Sequence, residues 1–437
     1  MAVQSAPSRR AGRAASTLHL IATIVVAVLA VAACGSNTGT SSPSPTGTSA
    51  PSATADATGT AAPSGEPIKV GGTLGLTGVF SGPSAGYLAT YEYWAEQVNA
   101  NGGLLGRPVE LIIYDDESTG ATAQTLYQRL INEDDVDLLL APYTTAVSSA
   151  IVPIAEQNQM VVWNGGFINE AIFRRSDWVV TSYTRMERDT TLPAYELIDR
   201  MSEGERPTRV GIVTEQNPFA LAVRDGFEGQ GGARGYARER DIEIVLDEEY
   251  APTTTDFASL IERARNADVE VFFALSLPNP AALIAQAAYD ASFRPTIYCS
   301  CASEVTSLPN WRDLGPAANG IMAVTAAWPT DGFEGLQELA DHLDTAEGYD
   351  QIPNYAVVGM AALQVMQQAV EETGSLDQTT LRDYVPGKTF NTVEGPITFT
   401  EDRLPEFSVL LLQWQDDENV AIWPDDRATG DAIIPMP

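Results

Sequence analysis

Ile68-Lys69-Val70-Gly71-Gly72-Thr73-Leu74-Gly75-Leu76 is a short, mostly apolar run, and soon after it Tyr87, Tyr91, Trp94 and Val98 recur at i, i+4, i+7 and i+11. The run predicts a strand and the recurrence predicts the buried stripe of a helix, because apolar positions follow the period of the element that buries them. Asn101-Gly102-Gly103 ends that helix with residues that accept positive φ. Residues 109–114, Val-Glu-Leu-Ile-Ile-Tyr, then read as a second strand.

The alternation continues outward from this unit. A helix is expected over 121–132, a strand over 136–141, a helix over 146–158 with Val147, Ile151 and Ile154 inward, and a strand over 160–164. After Tyr183 it restarts, with helices over 189–201, 218–229, 256–266 and 280–291 and strands over 209–214, 242–246, 269–275 and 296–301. Strands that are continuously apolar and separated by helices belong to a parallel sheet covered on both faces. The fold class is α/β, with two Rossmann-like doubly wound lobes. No short period repeats, which excludes a solenoid. Later helices are expected around 336–343, 355–372 and 381–385. A closing hairpin is expected from 393–399 and 407–414, joined by Glu401-Asp402-Arg403.

Composition bounds the rest. Arg9, Arg10 and Arg13 precede a 14-residue apolar run, 20–33, which is short of the roughly 20 residues that span a bilayer. A cationic start, a short apolar core and small residues before a cut describe a signal peptide over 1–33. Val31-Ala32-Ala33-Cys34 resembles a bacterial lipobox, which implies cleavage before Cys34 and acylation of that residue. Residues 34–66, nearly all Ser, Thr, Pro, Gly and Ala, cannot bury a core and read as a flexible linker with a coil dimension of about 30 Å. Residues 67–437 are too many for one ordinary core, so two lobes are expected. The full chain carries 25 basic and 58 acidic residues, a net charge of -33. Such a surface disfavours nucleic acid as a partner.

Cys299 and Cys301 leave two readings open. In an extended strand their Cα atoms lie about 6.6 Å apart, which makes a disulfide awkward. The expected state is a pair of buried thiols acting as small hydrophobes. A zinc site lacks further Cys or His pairs, and neither metal nor cofactor is expected. Gly82-Pro83-Ser84-Ala85-Gly86 matches G-x-S-x-G, but a nucleophile elbow puts its serine directly at a strand end and a triad needs histidine. Past the signal segment only His342 remains, so a serine hydrolase is a remote alternative and no enzyme is expected. Asp115-Asp116 is read as solvating the following helix N-terminus.

Several stretches resemble the type I solute-binding proteins of ABC importers, the branched-chain amino acid and amide binders above all. They are Gly75-Leu76-Thr77-Gly78, Asn99-Ala100-Asn101-Gly102-Gly103-Leu104-Leu105-Gly106-Arg107-Pro108-Val109-Glu110-Leu111, Asp115-Asp116, and Gly395-Pro396-Ile397-Thr398-Phe399 with Glu401-Asp402. The resemblance covers residues 67–423. It implies a periplasmic binding protein type I fold, with lobes of about 67–186 plus 327–403 and 187–326 plus 404–437, joined by crossovers near Met186, Ala327 and Arg403. It further implies a monomeric, extracytoplasmic receptor that passes a small solute to ABC permease subunits and touches the membrane only through its lipid. A ligand-sensing subunit of a signalling system is the alternative.

Strand ends and the helix N-termini that follow them would line the interlobe crevice. That logic and the resemblance select Phe80, Ser81, Tyr143, Thr144, Thr145, Trp163, Gly165, Gly166, Phe167, Asn217, Phe219, Ser276, Cys301 and Glu304 as ligand contacts. Thr144 or Thr145 would also serve as a helix cap, and both roles can coexist. The glycines would let a solute approach the backbone. Where the amino-acid binders hold an ammonium with an acid, this chain has Cys299-Ser300-Cys301-Ala302-Ser303, and Glu304 is the first acid. Without Glu304 a neutral amide, urea-like compound or carboxylate gains over an α-amino acid. Arg185 would pair a carboxylate or sit solvated.

Overall fold

The computed structural model describes residues 62–184, 187–301, 306, 311–349, 351–406 and 408–437. Cys34, Arg185, Met186 and Glu304 lie outside the described residues.

The first sheet forms from β1 (Ile68–Leu74), β2 (Val109–Asp115), β3 (Leu138–Leu140), β4 (Val162–Asn164) and β5 (Val179–Thr181), in the order β2-β1-β3-β4-β5. All its pairings are parallel. Between its strands run α1 (Ser81–Ala100), α2 (Gly120–Asn132), α3 (Thr145–Asn158) and the short α4 (Glu170–Arg175). Tyr87, Tyr91, Trp94 and Val98 are all buried on α1.

The chain then enters a second α/β layer through α5 (Leu192–Arg200), β6 (Arg209–Glu215), α6 (Pro218–Asp225), α7 (Gly232–Glu239), β7 (Glu243–Tyr250), α8 (Ala258–Asn266), β8 (Val271–Leu275), α9 (Pro278–Asp290), β9 (Ile297–Cys299) and β10 (Met322–Thr325). It returns with α10 (Leu336–Glu347) and α11 (Asn354–Thr373), which pack on α1, and continues through α12 (Gln378–Tyr384), β11 (Thr389–Thr392) and β12 (Gly395–Thr398). Finally β13 (Leu410–Gln415) and β14 (Glu418–Trp423) complete a sheet of order β14-β13-β10-β9-β8-β6-β7. This sheet is parallel from β7 to β10, and β13 and β14 add antiparallel.

Four expectations change. The helix expected over 218–229 stops at Asp225, because Gly226 takes φ +68 and any Cβ there would strike the backbone of Gln230 and Gly231, and α7 follows as a separate helix that was not expected. The closing hairpin shrinks to a turn with one antiparallel bridge, Phe399 with Pro405, and its arms 393–399 and 408–414 do not pair further. β12 pairs with β11, whereas β13 joins β10 and β14. Leu410, Leu411 and Leu412 are apolar in succession, so both faces need cover, and an interior place in the sheet supplies it.

Cys299 and Cys301 form a disulfide with Cα atoms 5.1 Å apart. The strand stops at Cys299, so the chain leaves the extended geometry that made this bond look awkward. Asp115 and Asp116 do not solvate a helix end, since Thr119 caps α2. Asp115 accepts from the N–H and hydroxyl of Thr77, at 3.1 and 2.7 Å, and buried Asp116 accepts from Thr73 Oγ1 at 2.8 Å. Asp115 ties the β1–α1 loop to the end of β2, and Asp116 ties the β2–α2 loop to β1.

Candidate functional site

The C-terminal ends of β1 and β3 in the first lobe face those of β6 and β8 in the second across a cleft, and α3 and α6 touch across it. A cavity of about 710 Å³ occupies the cleft. The first lobe lines it with Phe80, Ser81, Tyr143, Tyr349 and Tyr355, the second with Glu215, Asn217, Leu277, Pro278 and Asn279. A deeper recess with room of about 30 Å³ adjoins it, sharing Tyr143, Leu277 and Pro278 and adding Thr144, Thr145, Gly166, Phe167, Tyr183 and Phe219. That room is about one water's.

The start of α3 carries local features with no structural use for folding. Thr144 has φ 75 and ψ 147, a region that a β-branched residue enters only under strain of about 1–3 kcal/mol. Its hydroxyl is buried without a hydrogen-bond partner among the described residues, and it does not cap the helix. Thr145 is committed to structure, donating its hydroxyl to the Ile168 carbonyl at 2.9 Å. Asn164 organises the facing loop, accepting from the N–H groups of Gly166 and Phe167 at 2.9 and 3.0 Å. The strained turn therefore brings a residue with an unused hydroxyl, and the N-terminus of a 14-residue helix, to the wall of the recess.

Aromatic rings build the first-lobe wall. Phe80 meets Tyr143 edge-on at 5.7 Å, and Tyr87 packs on Tyr143 and Tyr355 at 5.6 and 5.7 Å. Tyr355 and Tyr349 share a hydrogen bond of 3.0 Å. In the second lobe Asn217 caps α6 by accepting from Ala220 N–H at 2.8 Å, and its side chain also bears on the carboxyl of Glu215. Glu215, the last residue of β6, is 2% exposed, and one of its oxygens accepts from Leu277 N–H at 2.7 Å. Burial raises its carboxyl above the ordinary range, against the opposing pull of that bond and of the Asn217 side chain. No arginine or lysine among the described residues lines either cavity.

Four expected contacts do not reach these walls. Trp163 is a core residue of β4. Gly165 makes room for α11, since a Cβ there would press on the backbone of Val358 and Gly359. Ser276 is buried behind the cleft beside Tyr250, and Cys301 is buried in its disulfide. Gly166 and Phe167 do border the recess, although the Phe167 ring turns inward onto Phe173.

Glu215 was missed because the strand was read as ending at Thr214; the strand-end rule, applied one residue later, selects it. Tyr349 and Tyr355 had no local signal. They arrive from a late segment that the fold returns to the first lobe.

Ser84 lies inside α1, and its buried hydroxyl has no partner among the described residues. His342 instead stacks on Tyr93 at 4.3 Å. The G-x-S-x-G string is thus a helix start and not an elbow. Among the described residues no group of three or more His, Cys, Asp or Glu is placed to hold a metal, and no helix is long and apolar enough to cross a membrane.

Comparison with known proteins matches this architecture. The family model described as periplasmic binding protein covers residues 67–419. Leu/Ile/Val-binding protein homolog 7 of Brucella abortus is 20% identical, over 86% of this chain and 96% of its own length. A branched-chain amino acid transporter substrate-binding protein from Streptococcus pneumoniae, solved with isoleucine, superposes with a TM-score of 0.68 at 17% identity, covering 82% of this chain and all of its own. An ABC transporter solute-binding protein from R. palustris, solved with benzoate, superposes at 0.69 with 19% identity, covering 85% and 99%. With a two-lobed α/β fold, a cleft at the strand ends and a family match over most of its length, the chain belongs to the periplasmic binding protein family.

Proposed function

We propose that this protein captures a small polar solute between its lobes and delivers it to the membrane subunits of an ABC importer. The observation that carries the reading is Thr144, where backbone strain and an unpartnered buried hydroxyl converge on the recess. Polar groups left unpaired by folding are available to a ligand, and a solute touching both lobes stabilises the joined arrangement over a separated one.

A thermal-shift screen of amino acids, amides, urea and short carboxylates on the chain from Pro67 onward tests the reading. At least one solute should raise the melting temperature. No response across the set would sink the substrate class. Within the same screen, Thr144→Gly is expected to move two readouts apart. Relief of strain should stabilise the unliganded domain by about 1 kcal/mol, while loss of the hydroxyl should weaken the bound solute about tenfold. A variant that loses stability and keeps its affinity contradicts the role given to Thr144.

The receptor is held at the outer face of the cell membrane by lipid on Cys34. Two acyl chains hold durably where one gives marginal binding. Cys34→Ala should release protein that binds its solute unchanged while cellular uptake falls. If the variant stays with the membrane fraction, the anchor lies elsewhere.

A further inference from the structure

Glu215 poses an energetic problem. A carboxylate at the end of β6 is 2% exposed, and no cationic side chain among the described residues pairs with it. Burying an unpaired charge is costly unless something supplies the opposite sign. Leu277 N–H, at the start of α9, bonds one oxygen, and the Asn217 side chain also bears on the carboxyl; neither brings a positive charge. The residue borders the 710 Å³ cavity, whose opposite wall carries Phe80, Tyr143, Tyr349 and Tyr355. Aromatic faces attract cations through the ring quadrupole, and that attraction grows when water is excluded. An acid on one lobe and aromatic rings on the other thus make a cleft that is selective by sign.

We propose that Glu215 is the residue that selects the solute, receiving a primary ammonium group held between its carboxylate and the aromatic wall of the opposite lobe. This inference rests on the cleft being the solute site. It reverses an earlier expectation, since an α-amino acid or amine needs no acid at the end of β9 when one stands at the end of β6. Such a cation contacts both lobes at once, so its binding energy favours their approach. The unused Thr144 hydroxyl and the α3 N-terminus lie in the adjoining recess, where a carboxylate on the same solute would be received.

Three probes on one carbon skeleton separate the possibilities. They are L-leucine, 4-methylpentanoate, which lacks the ammonium, and 3-methylbutylamine, which lacks the carboxylate. Binding to the chain from Pro67 onward would be measured by calorimetry, beside the same set of amides, urea and short carboxylates. Wild-type protein should bind the two ammonium-bearing probes and prefer leucine to 4-methylpentanoate by about 30-fold or more, the scale of a desolvated charge pair. Glu215→Gln keeps an acceptor for Leu277 N–H, and it should erase that preference while leaving any binding of 4-methylpentanoate within about threefold. The wild-type comparison stands even where the variant fails to fold. Equal affinity for leucine and its deaminated analogue overturns the inference, as does a Glu215→Gln protein that retains the preference. If only neutral or anionic solutes bind, the role of Glu215 falls and the transport reading stands; if nothing binds, both fall.

Discussion

Gly165→Ala is expected to destabilise the domain by about 3 kcal/mol, the upper range for forcing one methyl group into a packed interior. A Cβ at this position would lie 2.9 Å from the Val358 carbonyl carbon and 3.0 Å from Gly359 Cα, closer still to the Val358 oxygen. These are backbone atoms in the buried first half of a 20-residue helix, so no side chain can swing aside. The Gly165 carbonyl also accepts from Tyr87 Oη at 2.6 Å, and a shift of this loop strains that bond. Urea unfolding with an unchanged slope would measure the loss directly. A cost below about 1 kcal/mol would mean that α11 moves away freely, and the assignment of Gly165 to helix packing would be wrong.

Glu187→Gln should act in the opposite direction and only in one pH range. Glu187 is buried where the chain first passes from one sheet towards the other, with one oxygen accepting from Glu170 N–H at 2.6 Å and the other unpartnered among the described residues. Burial pushes its carboxyl up to about 7 from the ordinary 4.5, and the neighbouring Glu170 charge adds to the rise. A folded-state pKa above the unfolded one means that the folded chain holds the proton more tightly. The stabilisation is therefore complete below pH 4.5 and disappears as pH rises through 7, a change of roughly 3 kcal/mol for this one group. The glutamine variant carries no such proton. It should match the wild type near pH 4 and exceed it by about that amount at pH 8. Other carboxylates titrate in both proteins, so the difference between them isolates Glu187. A difference that does not vary with pH would show that this carboxyl ionises normally in the fold.

Sequence reading recovered the β1–α1–β2 unit because its two periods contrast sharply over a short span. It passed over β5, three residues of Val-Val-Thr, and β10, four residues after a long irregular stretch, because runs that short carry little periodicity. It joined β12 to β13 because a turn followed by an apolar run looks like a hairpin. Partner choice depended on which sheet had an interior place to fill. The cleft was approachable through strand ends, which put Phe80, Ser81, Thr144, Asn217 and Phe219 on its walls. Glycine roles were not legible. A bare backbone at Gly165 signals a close neighbour without saying whether that neighbour is a solute or a helix, and here it is α11.

The second sheet is finished by strands that come after the segments which cover the first, since β13 and β14 follow α11. Neither lobe is a contiguous stretch of polypeptide. A fragment ending before Leu410 would carry β10 with an open edge, and one ending before Asn354 would leave the Tyr87 face of α1 without its cover. The gene therefore cannot be divided into two self-sufficient modules at any single point, and a new binding specificity has to arise by substitution along the cleft walls instead of by exchange of one half for another.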